Sequence, residues 1–517
     1  MSPRRSRSAV VCTCLCLPCF AGRFQAQEPA SPGEPSQSPR VLQLTLEDAL
    51  RIALRNNFDL EIEHLATETA RFDALGSWGA FDPVFSLTGS ASKSESEPSS
   101  RLAGTEDNDL RLSSSLSLPL SYTGGTLDLG YEHVNSETDN PFATFDISTT
   151  DVLTVALNQP LLRGAWKRYA TVEQRASQLV LERQLERERE VRTRMLLDVY
   201  NAYWDLVSAQ EELAVRKLAV ELGQQQLAQD KRRLEVGAGT EVDVLQSETN
   251  VAQQEQLRLQ ADYRVLEMRD TLRRLLAPRP EGDYRDYLAK WDWPIETLTT
   301  LPEVEETPPL DWRVSLGTAI AERPELAQRR LDIESAEVDL QRSRSERLPQ
   351  LDLQLSTASA GFDTDPAEAF DKAAGWDFPS YTGALTFGMP LLNRRARNAE
   401  RAARAALRSS MLSYDRAEVD LLAEVRNAVN EVDKQRDSVS AAIKSRTLAQ
   451  RQLEAEETRQ QVGLSTTFQV LQFQEDLARA LSVEVLAKAS HAKALARLSF
   501  VEGRLGQDLA AREVEER

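Results

Sequence analysis

The sequence predicts a mainly α-helical fold with a smaller β portion, in which one unit is built twice. The stretch from about 165 to 234 lacks proline and carries apolar residues at every seventh position, which indicates a long helix packed on other helices. Shorter segments alternate apolar and polar residues, as strands do. The same motifs recur in the same order in both halves, which indicates a tandem duplication.

Residues 1–27 have the layout of a secretory signal peptide, with arginines ahead of an apolar run from about 9 to 21. A short N-terminal anchor and a lipid-modified Cys19 are the alternatives, and Pro18 before the cysteine disfavours the second. All four cysteines lie in this segment. Its removal would therefore leave no thiol for disulfides, catalysis or metal ligation. Residues 28–43, rich in proline and serine, are predicted to be a disordered linker.

The first repeat is placed at 44–281 and begins with a helix pair, for which Thr45 is the predicted N-cap. Segments of period two follow Pro83 and precede Pro160. An extra hairpin, with its turn at Gly124 and Gly125, is predicted between them.

The second repeat is placed at 313–506, after an irregular segment at 282–312 and before a C-terminal tail at 507–517. Its segments of period two follow Pro349 and precede Pro390. The two repeats therefore share one order of helix pair, strands and long helical hairpin.

The strands carry one apolar face and one small or polar face, and long polar loops join them. Such alternation occurs both in half-buried soluble sheets and in outer-membrane barrels, whose apolar face meets lipid. One loop, 363–371, has carboxylates that could hold calcium, but its spacing is not that of an EF-hand. A solvated extracellular loop is the preferred interpretation.

Apolar residues at seven-residue spacing predict that both long helices are buried along one stripe. The stripe comprises Val199, Leu206, Leu213, Val220, Leu227 and Leu234 in the first repeat, and Val425, Val432, Val439 and Leu453 in the second.

Each long helix is predicted to end at the same short turn, written RRLEVGAGTEVDVLQ in one repeat and TRQQVGLSTTFQVLQ in the other. Gly237 and Gly463 stand where a helix C-terminus needs a left-handed residue. Thr240 and Thr466 stand where the returning helix needs an N-cap. The identical valine and glutamine around each glycine exceed what a turn requires.

These motifs resemble those of bacterial outer-membrane efflux proteins of the TolC type. The resemblance covers about 44–506 and depends on LTLEDALRIALRNN, on NQPLLRG with GMPLLNR, and on the two Val-Gly turns. It implies a homotrimer in which duplicated long helical hairpins form a periplasmic α-barrel. The strands of the three copies would form one shared outer-membrane β-barrel, in contact with outer membrane lipid.

The resemblance also implies that a periplasmic adaptor protein, and through it an inner-membrane transporter, docks at the hairpin tips. The tip residues are Val236, Gly237, Ala238, Gly239, Thr240, Val462, Gly463, Leu464, Ser465 and Thr466.

Residues just beyond the tips are candidates to line the closed end of the duct. Family members often carry carboxylates after the second tip, where this chain has Gln469 and Gln472; the first repeat supplies Asp243 and Gln246. An uncharged ring would bind cations less strongly than a carboxylate ring.

The sequence thus predicts a trimeric outer-membrane channel that serves a tripartite efflux pump or a type I secretion system. The alternative is an exported coiled-coil scaffold without a pore. The net charge of −19 argues against a nucleic-acid partner. The three histidines are far apart and no phosphate loop or nucleophile elbow is present, so we expect no enzyme activity, metal site or cofactor.

Overall fold

The computed structural model describes residues 42–95, 97, 105–140, 143–277, 288, 291, 294–303 and 310–507. The predicted signal peptide, most of the linker, most of the 282–312 segment and nearly all of the C-terminal tail lie outside these residues.

Both halves of the chain follow one order of helices and strands. The elements of the first half are β1 (Leu42–Leu44), α1 (Leu46–Asn56), α2 (Phe58–Gly76), β2 (Val84–Glu95), β3 (Glu106–Pro119), β4 (Thr126–Thr138), β5 (Ile147–Pro160), α3 (Lys167–Ala170), α4 (Val172–Glu235) and α5 (Glu241–Leu276). Those of the second half are β6 (Ile295–Thr297), α6 (Trp312–Glu322), α7 (Pro324–Arg347), β7 (Gln350–Asp363), α8 (Pro366–Ala374), β8 (Pro379–Gly388), α9 (Arg394–Gln461) and α10 (Thr467–Val501).

The predicted N-cap of the first helix is confirmed. The Asp48 backbone N–H donates to Thr45 Oγ1 at 3.1 Å, and the Thr45 N–H donates back to the Asp48 carboxylate at 3.3 Å. This reciprocal pair satisfies two of the N–H groups that a helix start leaves without partners. The bonds from Thr45 hold the pKa of Asp48 below its usual range.

One antiparallel sheet contains the six long strands, in the order β2-β3-β4-β5-β7-β8. The strand predictions are confirmed, and the extra hairpin of β3 and β4 lies within this sheet, between β2 and β5. Its turn needs glycine: Gly124 has φ +77°, and a Cβ there would lie 2.5 Å from the Gly164 carbonyl oxygen. Strands β2 and β8 are left as the two edges.

The two faces of this sheet differ in chemistry along rows that cross all six strands. One row is Phe85, Leu116, Leu129, Val155, Thr357 and Tyr381. The adjacent row, on the other face, is Ser86, Ser115, Gly130, Thr154, Ala358 and Ser380. The predicted alternation therefore gives one apolar face and one small, polar face.

The interpretation of 363–371 as a solvated loop is wrong for most of its length, because helix α8 begins at Pro366. Asp365 caps this helix, and Ala369 and Ala373 are fully buried against the sheet. The helix lies on the apolar face, where the Phe370 ring meets Tyr131 edge-on at 5.9 Å. From its charges alone, the sequence could not distinguish a short amphipathic helix with buried alanines from a polar loop.

Gly361→Val is expected to lift α8 off the sheet, because a Cβ at Gly361 would lie 1.8 Å from the Ala369 carbonyl oxygen. Protease added to intact cells should then cut the 363–379 segment faster than in the unmodified protein. Gly383→Val is the control, since its Cβ would meet Leu355 at an ordinary 3.6 Å. Equal cleavage of both variants would contradict the close packing of α8.

The long helices pack side by side as a layer in the order α5-α4-α10-α9. Nearer the sheet, the order is α2-α4-α7-α9. The main apolar core lies between these helices and α1, and its fully buried members include Val199, Tyr203, Leu206 and Val425. Among the helices that the structure describes, none is long and apolar enough to cross a bilayer.

The predicted heptad stripe is buried near this core and loses burial toward the turn of the first hairpin. Val199, Leu206 and Val220 are buried, as are Val425, Val432, Val439 and Leu453 in the second repeat. Leu213 and Leu227 are only half-buried, and Leu234 is exposed. The apolar seam therefore ends before the helix does.

The segment between the repeats, predicted to be irregular, contributes β6, which pairs in parallel with β1. Leu42 and Gln43, placed in the disordered linker by their composition, are part of that β1 strand. Tyr203 joins the pair to α4, because its hydroxyl donates to the Leu44 carbonyl at 3.1 Å. Three-residue strands of this kind leave too short a pattern for sequence to reveal.

Candidate functional site

The far ends of the two hairpins have the same backbone geometry. Gly237 and Gly463 adopt φ +74° and +81°, the left-handed conformation that the sequence predicts. The N–H of the following residue, Ala238 in the first tip, reaches back to the Arg233 carbonyl at 2.8 Å. The second tip closes by the same bond at 2.8 Å, so both helices end in a Schellman motif.

The returning helices begin with the predicted caps. Thr240 Oγ1 accepts from the Asp243 N–H at 3.2 Å and Thr466 Oγ1 accepts from the Gln469 N–H at 3.4 Å. The side chains of Asp243 and Gln469 bond back to the cap residues, at 3.0 Å and 3.4 Å from their N–H groups. Two of the four aperture-lining candidates are thus used in capping their own helices.

The other two candidates, Gln246 and Gln472, lie one turn further on with exposed side chains. The tips themselves present three aliphatic side chains to solvent: Val236 is 78 % exposed, Val462 67 % and Leu464 71 %. Exposed branched side chains on a turn contribute nothing to the stability of this chain alone. They give each tip a small apolar knob with a rigid backbone beneath it.

A buried carboxylate joins the two hairpins close to these tips. Asp230 on α4 is 2 % exposed and accepts hydrogen bonds from Ser247 Oγ of α5 at 2.7 Å and Thr467 Oγ1 of α10 at 3.1 Å. Gln226 donates to it from one turn earlier at 3.1 Å. Gln460 of α9 donates to Thr467 at 3.4 Å, so the network, named here the tip hub, reaches all four helices.

A second buried carboxylate stabilises the second tip. Glu456 accepts from Ser465 Oγ at 2.5 Å and pairs with Arg459 at 3.1 Å. The predicted docking residue Ser465 is therefore only half-exposed and is held by its own hairpin. Near the second tip, hydrogen bonds to this charged group add to the apolar contacts of the buried Val470 and Leu471.

The sequence reasoning missed the tip hub, although a signal for it exists. Three residues after the first five members of the first heptad stripe stand Ala202, Ala209, Arg216, Gly223 and Asp230. Most of this companion series is small and buried, so a carboxylate at its end indicates a buried polar contact. Which donors meet it depends on the packing of four helices and could not be read from one.

The described histidines do not form a shared site. His64 lies near Glu188 at 3.3 Å and His133 bonds Asp151 at 2.7 Å, while burial, followed by the charge of Arg436, holds the pKa of His491 below its usual range. Within the described ranges, no three His, Cys, Asp or Glu side chains are grouped as metal ligands would be.

Both halves of the chain match one protein family. The family described as outer membrane efflux protein matches residues 49–277 and 316–504, one match in each half of the chain. The matched ranges include both long hairpins and the six-stranded sheet.

Individual relatives have low sequence identity to this chain. The alkaline protease secretion protein AprF of Pseudomonas aeruginosa is 24 % identical over 69 % of this chain and 70 % of its own length. The outer membrane efflux protein BepC of Brucella suis is 25 % identical over 67 % of this chain and 70 % of its own.

Solved structures share the fold. The outer-membrane channel OprN superposes with a TM-score of 0.65 at 15 % identity, over 89 % of both chains. The CmeC outer membrane channel of Campylobacter jejuni superposes with a TM-score of 0.63 at 16 % identity, over 90 % of this chain and 88 % of that one.

Proposed function

The chain belongs to the outer membrane efflux protein family, and on that premise we propose that three copies form the exit duct of a tripartite efflux pump or a type I secretion system. Members of this family are channels of the outer membrane whose helices extend into the periplasm. We propose the number of copies, the way in which they close, and the surface that contacts the other proteins of the pump or secretion system.

The main support for the proposal is that the two edge strands of the sheet are neighbours along the chain of the two edge helices. Strand β2 follows α2 after a 3-10 turn at Ser77–Phe81, and β8 directly precedes α9. These are the two edges of the sheet and of the adjoining helix layer. A β8-to-β2 contact between copies would pair both open edges and extend both layers at once, which removes the edges that a lone sheet exposes.

Apolar side chains are exposed along the edge helices, where a neighbouring copy would cover them. They are Phe58, Ile62, Leu65, Phe72 and Leu75 on α2, and Val242, Leu245, Leu259, Tyr263 and Leu266 on α5. Stripes of this kind on a long helix indicate contact with another helix rather than with water.

Three six-stranded sheets would close into a wall of eighteen strands. Barrels of about 16 to 18 strands leave an aqueous channel. Strands of up to 14 residues span about 45 Å along their axes, enough to cross the outer membrane at the usual tilt. The apolar face would meet lipid, and the serine-rich and threonine-rich face would line the channel.

At the periplasmic end, the tips 236–240 and 462–466 are the proposed docking surface for a periplasmic adaptor, through which an inner-membrane transporter connects. The exposed Val236, Val462 and Leu464 on rigid turns support this assignment. Gln246 and Gln472, on the next turn, are the proposed lining of the closed end, with Asp243 and Gln469 shared between capping and lining.

The cargo class stays open in this proposal. Two relatives are named for protease secretion, AprF and PrtF, and one for pyoverdine export, OpmQ. We assign selection of cargo to the inner-membrane partner, because the face of the sheet that would line the duct carries small and polar side chains.

Planar-bilayer recording of the purified protein tests the channel proposal. We expect discrete conductance steps, since the closed sheet leaves a water-filled bore. A preparation that fractionates as a water-soluble monomer and gives no conductance would support the coiled-coil scaffold alternative and contradict the proposal.

Docking at the tips is tested by crosslinking from Leu464→Cys, an exposed tip position. The four native cysteines lie within the first 19 residues, so this thiol would be the sole one in a processed chain. We expect capture of a periplasmic protein in cells. Leu412→Cys, 59 % exposed and far along α9, is the matched control. Capture from position 412 and none from 464 would overturn the docking assignment.

A further inference from the structure

We propose that the first turns of α9 form a binding site for the phosphate group of anionic phospholipids in the periplasmic leaflet of the outer membrane. The site is an arginine cleft beneath the apolar face of the sheet. The inference rests on the proposed function in one respect only: it requires that this apolar face meet lipid.

The cleft has a volume of about 600 Å³ and is lined by Arg347, Arg397, Arg401, Arg404, Asn393 and Glu400, with Met389 at its rim. Four guanidinium groups thus surround a single carboxylate. Arginine is the side chain best suited to phosphate, because its planar N–H groups bind two phosphate oxygens at once.

The arginines continue along one face of the helix. Arg394, Arg397, Arg401, Arg404 and Arg408 recur at alternating spacings of three and four residues, and all five are exposed. Like charges at this spacing repel one another and destabilise a helix. Among the residues that the structure describes, only Arg404 of this stripe has a carboxylate partner, Glu400. The other four arginines of the stripe therefore have no carboxylate partner among the described residues.

Arginines on the first half of α4 are arranged differently. Arg183 pairs with Asp332, and Arg187 pairs with Glu63. The shortage of carboxylates in the first turns of α9 is thus a local feature, and the chain as a whole is strongly acidic.

Glu400 gives the cleft its shape. Its side chain is 5 % exposed, bonds Arg404 at 2.6 Å and Arg347 at 2.8 Å, and lies 3.9 Å from Arg344. Burial acts to raise the pKa of Glu400, but the hydrogen bond from Arg404 and the charges of Arg347, Arg404 and Arg344 outweigh it and hold that pKa below its usual range. One ionised carboxylate therefore orients several guanidinium groups and leaves an excess of positive charge.

The position of the cleft points to lipid rather than to cargo in the channel. Met389 continues the alternation of Leu385 and Phe387, which belong to the apolar face and are 63 % and 65 % exposed. Through Met389, the cleft therefore borders the lipid-facing surface at the level where β8 gives way to α9. This is the level of the phospholipid headgroups, and basic clusters beside a membrane-spanning segment bind anionic headgroups there.

The small residues of α9 occupy a different face. Asn398, Ala402, Ala405 and Ser409 follow the arginine positions by one residue, about 100° further around the helix, and all four are exposed. Their size suits close approach of a neighbouring copy. With a neighbouring copy against this small face, the arginine stripe stays outside the contact between copies.

The test uses the purified full-length protein in neutral detergent, titrated calorimetrically with dihexanoyl phosphatidylglycerol, dihexanoyl phosphatidylcholine or inorganic phosphate. We expect tight binding of phosphatidylglycerol alone. The triple variant Arg397→Gln, Arg401→Gln, Arg404→Gln should bind it on the order of 100-fold more weakly. The matched control, Arg416→Gln, Arg426→Gln, Arg451→Gln, removes equal charge from exposed positions further along the same helix and should bind as the unmodified protein does.

Three outcomes would overturn the proposal. Equal weakening by both triple variants would show diffuse charge attraction, and displacement of phosphatidylglycerol by equimolar inorganic phosphate would identify a free anion as the ligand. Equal binding of the two lipids would show that no anionic headgroup is recognised. Binding is measured without ion flux, so a lost lipid preference with intact conductance refutes the site alone, and lost conductance with intact preference refutes the channel alone.

Discussion

Replacing Leu206 with aspartate is expected to abolish recovery of the folded protein from outer-membrane fractions. Leu206 is fully buried in the apolar core, beside Val199 and Tyr203 on α4. Truncation of a buried leucine alone costs about 2 to 5 kcal/mol, and an unpaired buried carboxylate adds several more. The total is comparable with the entire stability of an ordinary domain.

The matched control is Leu218→Asp, on the same helix but 43 % exposed, which should be recovered at near-normal levels. Heat-resistant oligomer in membrane extracts is the measurement. Normal recovery of Leu206→Asp would show that the helices are not held by this core.

Replacing Asp230 with alanine is expected to leave the assembly intact but to open its periplasmic end. Asp230 accepts hydrogen bonds from Ser247, Thr467 and Gln226, and so ties the two hairpins together. Bonds to a charged acceptor contribute about 1.5 to 3 kcal/mol each. A loss of about 3 kcal/mol would shift a closed-to-open ratio by about 100-fold.

Open probability in planar bilayers is the measurement, with oligomer recovery recorded in parallel. Asp230→Asn retains an acceptor oxygen and should be nearer to the unmodified channel. Glu248→Ala removes a carboxylate from an exposed pair with Lys231 near the same tip and should change little, since such pairs contribute at most about 1 kcal/mol. Unchanged gating in Asp230→Ala would show that the tip hub does not hold the hairpins closed.

The structure could be predicted from sequence wherever a local rule determines the backbone conformation. Gly237 and Gly463 are left-handed as predicted because an L-residue there would be strained. Thr45, Thr240 and Thr466 cap their helices because a hydroxyl satisfies the first free N–H groups. The period-two segments form the sheet in the predicted places, and the glycine pair at 124 and 125 turns the extra hairpin.

Features that depend on distant partners could not be predicted. The tip hub joins residues from four helices, and β1 with β6 pairs segments on either side of the first repeat. The sequence did not predict helix α8, because the burial of its alanines depends on contact with Gly361 in the sheet. The aperture candidates were chosen by position after the tips, and position alone did not reveal that Asp243 and Gln469 cap their own helices.

The central claim is that three copies of this chain close the open edges of the sheet and of the helical layer into one duct. Native mass spectrometry of the protein purified in detergent tests it most directly. We expect a particle of three times the mass of the mature chain, with no stable species of one or two copies. A monomer that keeps its sheet and long helices, or a closed ring of any other number, would contradict it.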